Sequence, residues 1–362
     1  MSKTRLSGAL AAAGALTLLA ACAPATTTSS APQATVSVSV EPSIPSLPEA
    51  PEDPRPEVVW PLTGIEAADV DQEDLDRPAL SIKIENSSAA RPQENLDKAD
   101  VVFEEYVEYG ISRLIAVYHS DYPDSVGPIR SMRPMDKNIM GSFAGPLVFS
   151  GAQARFVSAT QNSGQKVIAQ DVGSSGFYRT SGRAAPHNLH GYPAEFARQA
   201  SDMPAPEAQW EWAFPAETAT AQLEGEAASV IDITMSSQSQ PEWRWDADAD
   251  AWMRYEGSSP HVTMDGTQLS ATNVVALWVE IKYTSSNGGS SVPETLVAGK
   301  SGTGYVASGD QYIPINWSKA GQYDPFVFAT ESGDPVSFMP GQTWVELIPN
   351  KGIDHATAID IS

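Results

Sequence analysis

Apolar and polar residues alternate from Ala79 to Glu85, with Leu80, Ile82 and Ile84 on one face, which is the period of a half-buried strand. Val101-Val102-Phe103, Leu114 to Tyr118 and Leu147-Val148-Phe149 are instead apolar on both faces, as strands inside a sheet are. Only Tyr106 to Ser112 separates Glu105 from Arg113. A parallel crossover needs about a dozen residues, so these two strands are expected to run antiparallel. Ser131 is placed to cap a helix reaching Phe143 that buries Met135, Ile139, Met140 and Phe143. Pro134 falls in its first turn, where a missing N–H is harmless. The spacing predicts a second helix over Ala194 to Met203.

Around Pro204 to Pro215 the pattern changes to short strands separated by Gly, Asp, Asn and Pro. They are Val230–Thr234, Trp243–Trp245, Trp252–Tyr255, Val274–Tyr283, Tyr312–Trp317 and Trp344–Ile348. The fold class expected is an α/β or α+β N-terminal domain with a mixed sheet over residues 58–215, then a β-rich C-terminal domain over 216–362. The aromatic residues of that second half are expected to fill its core.

The start of the chain reads as an address. Lys3 and Arg5 precede an apolar run from Leu6 to Leu19, too short for a bilayer span of roughly 20 residues. Leu19-Ala20-Ala21-Cys22 has the form of a lipobox, in which the thiol is alkylated with diacylglycerol and the chain is cut before it. The alternative is an ordinary cleavable signal with Cys22 a bystander. On the lipobox reading, residues 1–21 are a signal peptide. The acyl chains on Cys22, palmitate among them, then hold the protein to the extracytoplasmic side of the cell membrane, each buried methylene contributing about 0.8 kcal/mol. Residues 22–57, rich in Ala, Thr, Ser and Pro, follow as a disordered tether.

Charge narrows the partners. The chain has 22 basic and 45 acidic residues, a net charge of −23, which argues against nucleic acid as a partner. The basic residues are not spread evenly. Residues 101–200 hold nine basic against eight acidic groups, and seven of the nine are arginines. An anionic ligand is therefore sought there. Cys22 is the only cysteine, so an internal disulfide is excluded, as are thiolate metal clusters.

Three constellations could carry chemistry. Glu104, Glu105 and Glu108 end one strand of the proposed hairpin and Arg113 begins the next, either as a cross-strand ion pair or as a functional pair at the sheet rim. Gly127-Pro128-Ile129-Arg130-Ser131-Met132-Arg133 leads into the expected helix, whose N-terminus favours anions, and Arg130 and Arg133 add bidentate donors. The competing reading pairs those arginines with Asp121, Asp124 or Asp136. Arg179, Arg183 and Pro186-His187-Asn188 form the third group, in which His187 is the candidate for proton transfer. His187 and His190 have a spacing that could share a metal on a helix, but Pro186 and Gly191 disfavour one, and no metal is assigned. Asp246-Ala247-Asp248-Ala249-Asp250 lacks the glycine and the closing glutamate of a calcium loop and reads as a hairpin turn. Gly-x-Ser-x-Gly, phosphate-loop and dinucleotide fingerprints are absent, and no cofactor is expected.

These motifs resemble the YerB-like lipoproteins, a bacterial family of unknown function with N- and C-terminal parts. The resemblance runs through Pro61-Leu62-Thr63-Gly64, Ala90-Arg91-Pro92-Gln93, Ala99 to Glu104, Gly110-Ile111-Ser112-Arg113, Gly127 to Ser131 and Ala185 to Asn188. It continues in Asn273-Val274-Val275, Trp317-Ser318-Lys319 and Pro340 to Trp344. It implies a two-part lipoprotein of the envelope and supplies no reaction. The residues themselves favour a non-catalytic protein that binds an anionic small molecule or a cell-wall component through Arg113, Arg130, Ser131, Arg133, Arg179 and Arg183. The alternative is a hydrolase or transferase on an envelope polymer, with His187 as base, Asn188 beside it, and Glu104 or Glu105 as its carboxylate partner. A scaffold with no small ligand is the third possibility.

Overall fold

Four strands form where the apolar runs place them: β1 (Leu80–Glu85), β2 (Val101–Tyr106), β3 (Ser112–Tyr118) and β4 (Leu147–Phe149). A fifth, β5 (Val167–Ala169), extends the edge. This is a computed structural model, and it describes residues 53–285, 291–350 and 358–362. The expected lipid site at Cys22 and nearly all of the tether lie outside the described residues. β2 and β3 pair antiparallel, as the short connection requires, from Val101↔Val117 to Tyr106↔Ser112. β1 lies antiparallel to β3 on its other side, with Glu85 opposite Arg113. β4 and β5 then continue parallel, so the sheet is mixed.

The sheet does not stop at the boundary expected near residue 216. Thr343–Pro349 runs parallel beside β2, from Val101↔Thr343 to Glu105↔Leu347. Asn273–Ser285 follows parallel to it, and Lys300–Ser308, Gln311–Lys319 and Val327–Ala329 continue outward antiparallel. Strands from the two expected domains are thus hydrogen-bonded neighbours in one sheet, and residues 53–362 form a single compact unit. The second half is β-rich, as its pattern indicates. It also builds a separate sheet from Val230–Ile233, Pro241–Asp246, Ala251–Glu256 and Ile359–Ile361. The Lys300–Ser308 strand escapes the apolar pattern because glycines interrupt it. At Gly304 a Cβ would stand 2.3 Å from the Ala276 carbonyl oxygen, so the close strand approach needs glycine there.

Each face of the large sheet carries its own core. Val101, Phe103, Ile115, Val117, Val345 and Leu347 face one side, under Met132, Met135, Ile139 and Phe143. Val102, Leu114, Ala116 and Trp344 face the other, against Ile231, Trp243 and Trp252 of the second sheet. The Trp243 and Trp344 rings meet edge-on, with centroids 5.2 Å apart. The Asp246–Asp250 segment is the hairpin turn, with Asp246 Oδ1 accepting the Asp248 and Ala249 N–H groups.

The helix expected from Ser131 to Phe143 is much shorter. Only Asp136–Met140 is α-helical, and a single 3₁₀ turn, Gly141–Phe143, follows it. The preceding residues are held elsewhere: Glu85 N–H donates to Pro128 O, Arg130 N–H to Lys83 O and Met132 N–H to Gly151 O. An extended segment that continues the ladder at the end of β1 cannot also be a helical turn. The second expected helix is present over Pro193–Gln199. A small hairpin, β6 (Phe177–Arg179) with β7 (Leu189–Gly191), carries the loop that contains His187.

Candidate functional site

Register builds the site. Glu105, Arg113 and Glu85 occupy opposed positions on three neighbouring strands, β2, β3 and β1. Opposed residues share a face, so one end of the sheet presents two carboxyls on either side of a guanidinium. Lys83 lies two residues before Glu85 on the same face and is fully buried. It makes ion pairs with Glu105 and with Asp136, the latter at 3.1 Å. Burial, then the neighbouring Asp136 charge, pushes the Glu105 carboxyl up to about 8 against the pull of Lys83. Asp136 uses its second oxygen to accept the Arg133 N–H at 2.9 Å.

Arg113 is the unusual member. It is 6 % exposed, yet its Nε and Nη1 have no hydrogen-bond partner. Burial first, and the nearby Arg133 and Arg130 charges next, bring its guanidinium down to about 10, which leaves it cationic at neutral pH. Glu85 accepts from Ser87 Oγ at 2.8 Å and holds His187 Nδ1 at 2.9 Å, both through Oε1. Its other oxygen stands 3.5 Å from Arg130 Nε, too long for a hydrogen bond, and both of those atoms are otherwise unpartnered. Arg133 is paired with Glu108 at 2.6 Å.

The residues singled out from sequence therefore divide. Arg113, Arg130, Arg133 and His187 gather around Glu85 and Glu108. Arg183 donates to the Ala90 and Pro92 carbonyls at 2.7 and 2.6 Å, fixing the chain that follows β1. Arg179 donates to Asn188 Oδ1 at 2.9 Å, and Asn188 Nδ2 donates to Thr180 O and Arg183 O. These three tie the hairpin loop together through Arg179 Nη1, both terminal nitrogens of Arg183 and the Asn188 amide. Ser131 caps no helix, since the cap position is Met135, and its hydroxyl lies against Gly151. No helix begins at Ser131, so a helix N-terminus adds nothing to anion binding there.

The carboxylate partner of His187 is Glu85, neither Glu104 nor Glu105. Glu105 is taken by Lys83. Glu104 points to the opposite face by alternation and pairs with buried Arg254, which also donates to Glu256 at 2.8 Å. Arg254 lies 4.9 Å from the Trp344 ring centroid, and Trp243 Nε1 donates to Glu346 at 3.0 Å. His187 and His190 do not converge either, because His190 lies on β7 and its Nδ1 meets Glu94 at 2.6 Å.

The local pattern offers Asp136 only as a side-chain partner for Arg130 or Arg133, whereas it pairs with Lys83 and accepts the Arg133 backbone N–H, and it gives no role to Lys83, Glu85 or Arg254. Alternation in β1 marks Ser81, Lys83 and Glu85 as the polar face, which reads as solvent-facing. Residues 127–136 cover it instead, and a distant return of the chain is not visible in local periodicity. Surface clefts of about 410 Å³ beside Gly141 and Tyr323, about 280 Å³ beside Arg91 and His261 and about 620 Å³ beside Phe177 and Tyr192 are lined by residues other than Arg113, Arg130, Arg133 and His187.

Comparison with known proteins places this architecture. Residues 62–205 match the N-terminal domain, and residues 231–345 the C-terminal domain, of the "Protein of unknown function (DUF3048)" family. The chain is 30% identical over 131 residues to "Putative lipoprotein YerB" of Bacillus subtilis (strain 168), a match covering 36% of this chain and 39% of that protein. The crystal structure of the YerB protein from Bacillus subtilis superposes with a TM-score of 0.70 at 22% identity, covering 84% of this chain and 100% of that one. With both of its domains matched in order and its fold shared, the chain belongs to the DUF3048, or YerB-like, family.

Proposed function

We propose that this protein is a membrane-anchored envelope lipoprotein that captures an anionic group at Arg113 and Arg130. The observation that carries the reading is the buried guanidinium of Arg113 with two nitrogens unpartnered. A buried donor left unsatisfied costs about 1–3 kcal/mol, more when charged, and an incoming oxyanion recovers that cost. Arg130, with its side chain 24% exposed, opens the cluster towards solvent. The lipid anchor is supported by the lipobox at Cys22 and by the name of the Bacillus relative. Calorimetric titration with inorganic phosphate tests the site. The wild type is expected to bind, and Arg113→Gln to bind roughly 10- to 100-fold more weakly, as expected for losing charge-assisted bonds of about 1.5–3 kcal/mol. Equal binding by the two proteins refutes the assignment.

One geometric fact favours a second reading. His187 Nδ1 is held by Glu85, which leaves Nε2 of a half-exposed imidazole free as a base beside Arg130. This is the pairing that a hydrolase or transferase of anionic esters uses, with the arginines stabilising the charge that develops. Phosphodiester turnover that is lost in both His187→Ala and Glu85→Gln carries this reading, and its absence in the wild type removes it.

A further inference from the structure

The turn joining β2 to β3 holds a residue whose conformation nothing in the fold offsets. Tyr109 has φ 64° and ψ 14°, in the left-handed region, and Gly110 follows it at φ 75°. Two successive positive φ angles are the habit of tight hairpin turns, where Asn and Gly are favoured and a bulky side chain is strained. Tyr109 is nevertheless 86% exposed, so its ring gains little from packing. A single exposed aromatic is ordinary by itself. An exposed aromatic on strained backbone, in the turn four residues before a buried unpaired cation, is not, since such strain concentrates where ligands are held. The rest of the turn is fixed. Glu108 accepts from Arg133 Nε at 2.7 Å, and Ser236 Oγ donates to Gly110 O. Tyr109 is thus displayed one residue from the Glu108–Arg133 pair, and Arg133 is in turn close enough to act on Arg113.

We infer that Tyr109 adds a sugar platform next to the anion site and that the ligand is a singly phosphorylated sugar, the phosphate on Arg113 and Arg130 and the sugar ring against the tyrosine face. This rests on the anion-binding reading above. The charge around Arg113 sets the class: three guanidinium groups of Arg113, Arg130 and Arg133 face two carboxylates, Glu85 and Glu108, Lys83 is balanced by Asp136, and burial keeps the Glu105 carboxyl protonated below about 8. A surplus of one positive charge suits one phosphate and disfavours a polyphosphate. Glu85 and Glu108 are also acceptors for sugar hydroxyls, and an exposed tyrosine ring stacks on the apolar face of a pyranose.

Calorimetry with inorganic phosphate, glycerol 3-phosphate and N-acetylglucosamine 1-phosphate separates the contributions. The wild type is expected to prefer the sugar phosphate to the glycerol phosphate by about tenfold, the scale of one aromatic stacking contact. Tyr109→Ala and Tyr109→Gly are expected to erase that preference and leave inorganic phosphate binding unchanged. Tyr109→Gly is also expected to raise the melting temperature, because glycine relieves the strain. A wild type that binds phosphate without preferring the sugar, or a preference that survives Tyr109→Ala, overturns the inference alone. A wild type that binds none of the three overturns the arginine site as well.

Discussion

Glu105 and Arg113 are register partners across the β2–β3 hairpin, yet Glu105 makes its ion pair with Lys83 from β1. That choice leaves Arg113 buried beside carboxyls without a hydrogen bond to any of them. A surface hairpin with the same register would close as a cross-strand ion pair worth about 0–1 kcal/mol. Here the buried lysine, held on its other side by Asp136, wins the carboxylate and frees the arginine.

Glu105 makes stability depend on pH with a definite sign. Its folded carboxyl is raised to about 8 from an ordinary value near 4.5, so the folded state binds the extra proton between those limits. Stability from this group is therefore present at low pH and falls as pH rises towards 8. Denaturant titrations at pH 5, 6, 7 and 8 are expected to show the wild type losing stability faster than Glu105→Gln. Parallel slopes for the two proteins contradict the buried triad.

Arg254 joins the halves of the chain on the other sheet face, pairing with Glu104 of β2 and with Glu256 on its own strand. Replacing it with Met leaves Glu104 buried without its cation and is expected to cost about 3–5 kcal/mol. Because one sheet runs through both halves, unfolding is expected to remain a single transition shifted to lower denaturant. Two separate transitions in the variant, one for each half, contradict the shared sheet as the unit of stability.

Periodicity disclosed β1 to β4, the β2–β3 pairing and the β-rich second half, since these follow from which faces are apolar. It could not disclose that Thr343–Pro349 inserts beside β2, because a parallel neighbour some 240 positions away leaves no local mark. The site was half legible for a related reason. Arg113, Arg130, Arg133 and His187 stand out as cations in an acidic chain, whereas Glu85 and Lys83 look like the solvent side of an alternating strand. Arg183 and Asn188 carry the same sequence signal as the site residues, and only their backbone partners separate them.

The anchor is tested independently of the fold. Cys22→Ser is expected to abolish metabolic labelling with palmitate and to shift the protein out of the membrane fraction or leave it as an uncleaved precursor. Undiminished labelling in that variant contradicts the lipobox assignment.

The most direct test of the anion site is heteronuclear NMR of the arginine side-chain N–H groups during titration with phosphate. The Nε–H of Arg113 faces no acceptor, whereas both terminal nitrogens of Arg183 donate to carbonyls. A saturable shift of the Arg113 and Arg130 signals, with Arg183 unmoved, is the expected result. Arg113 unmoved at saturating phosphate, or a uniform drift of every arginine, contradicts a built anion site.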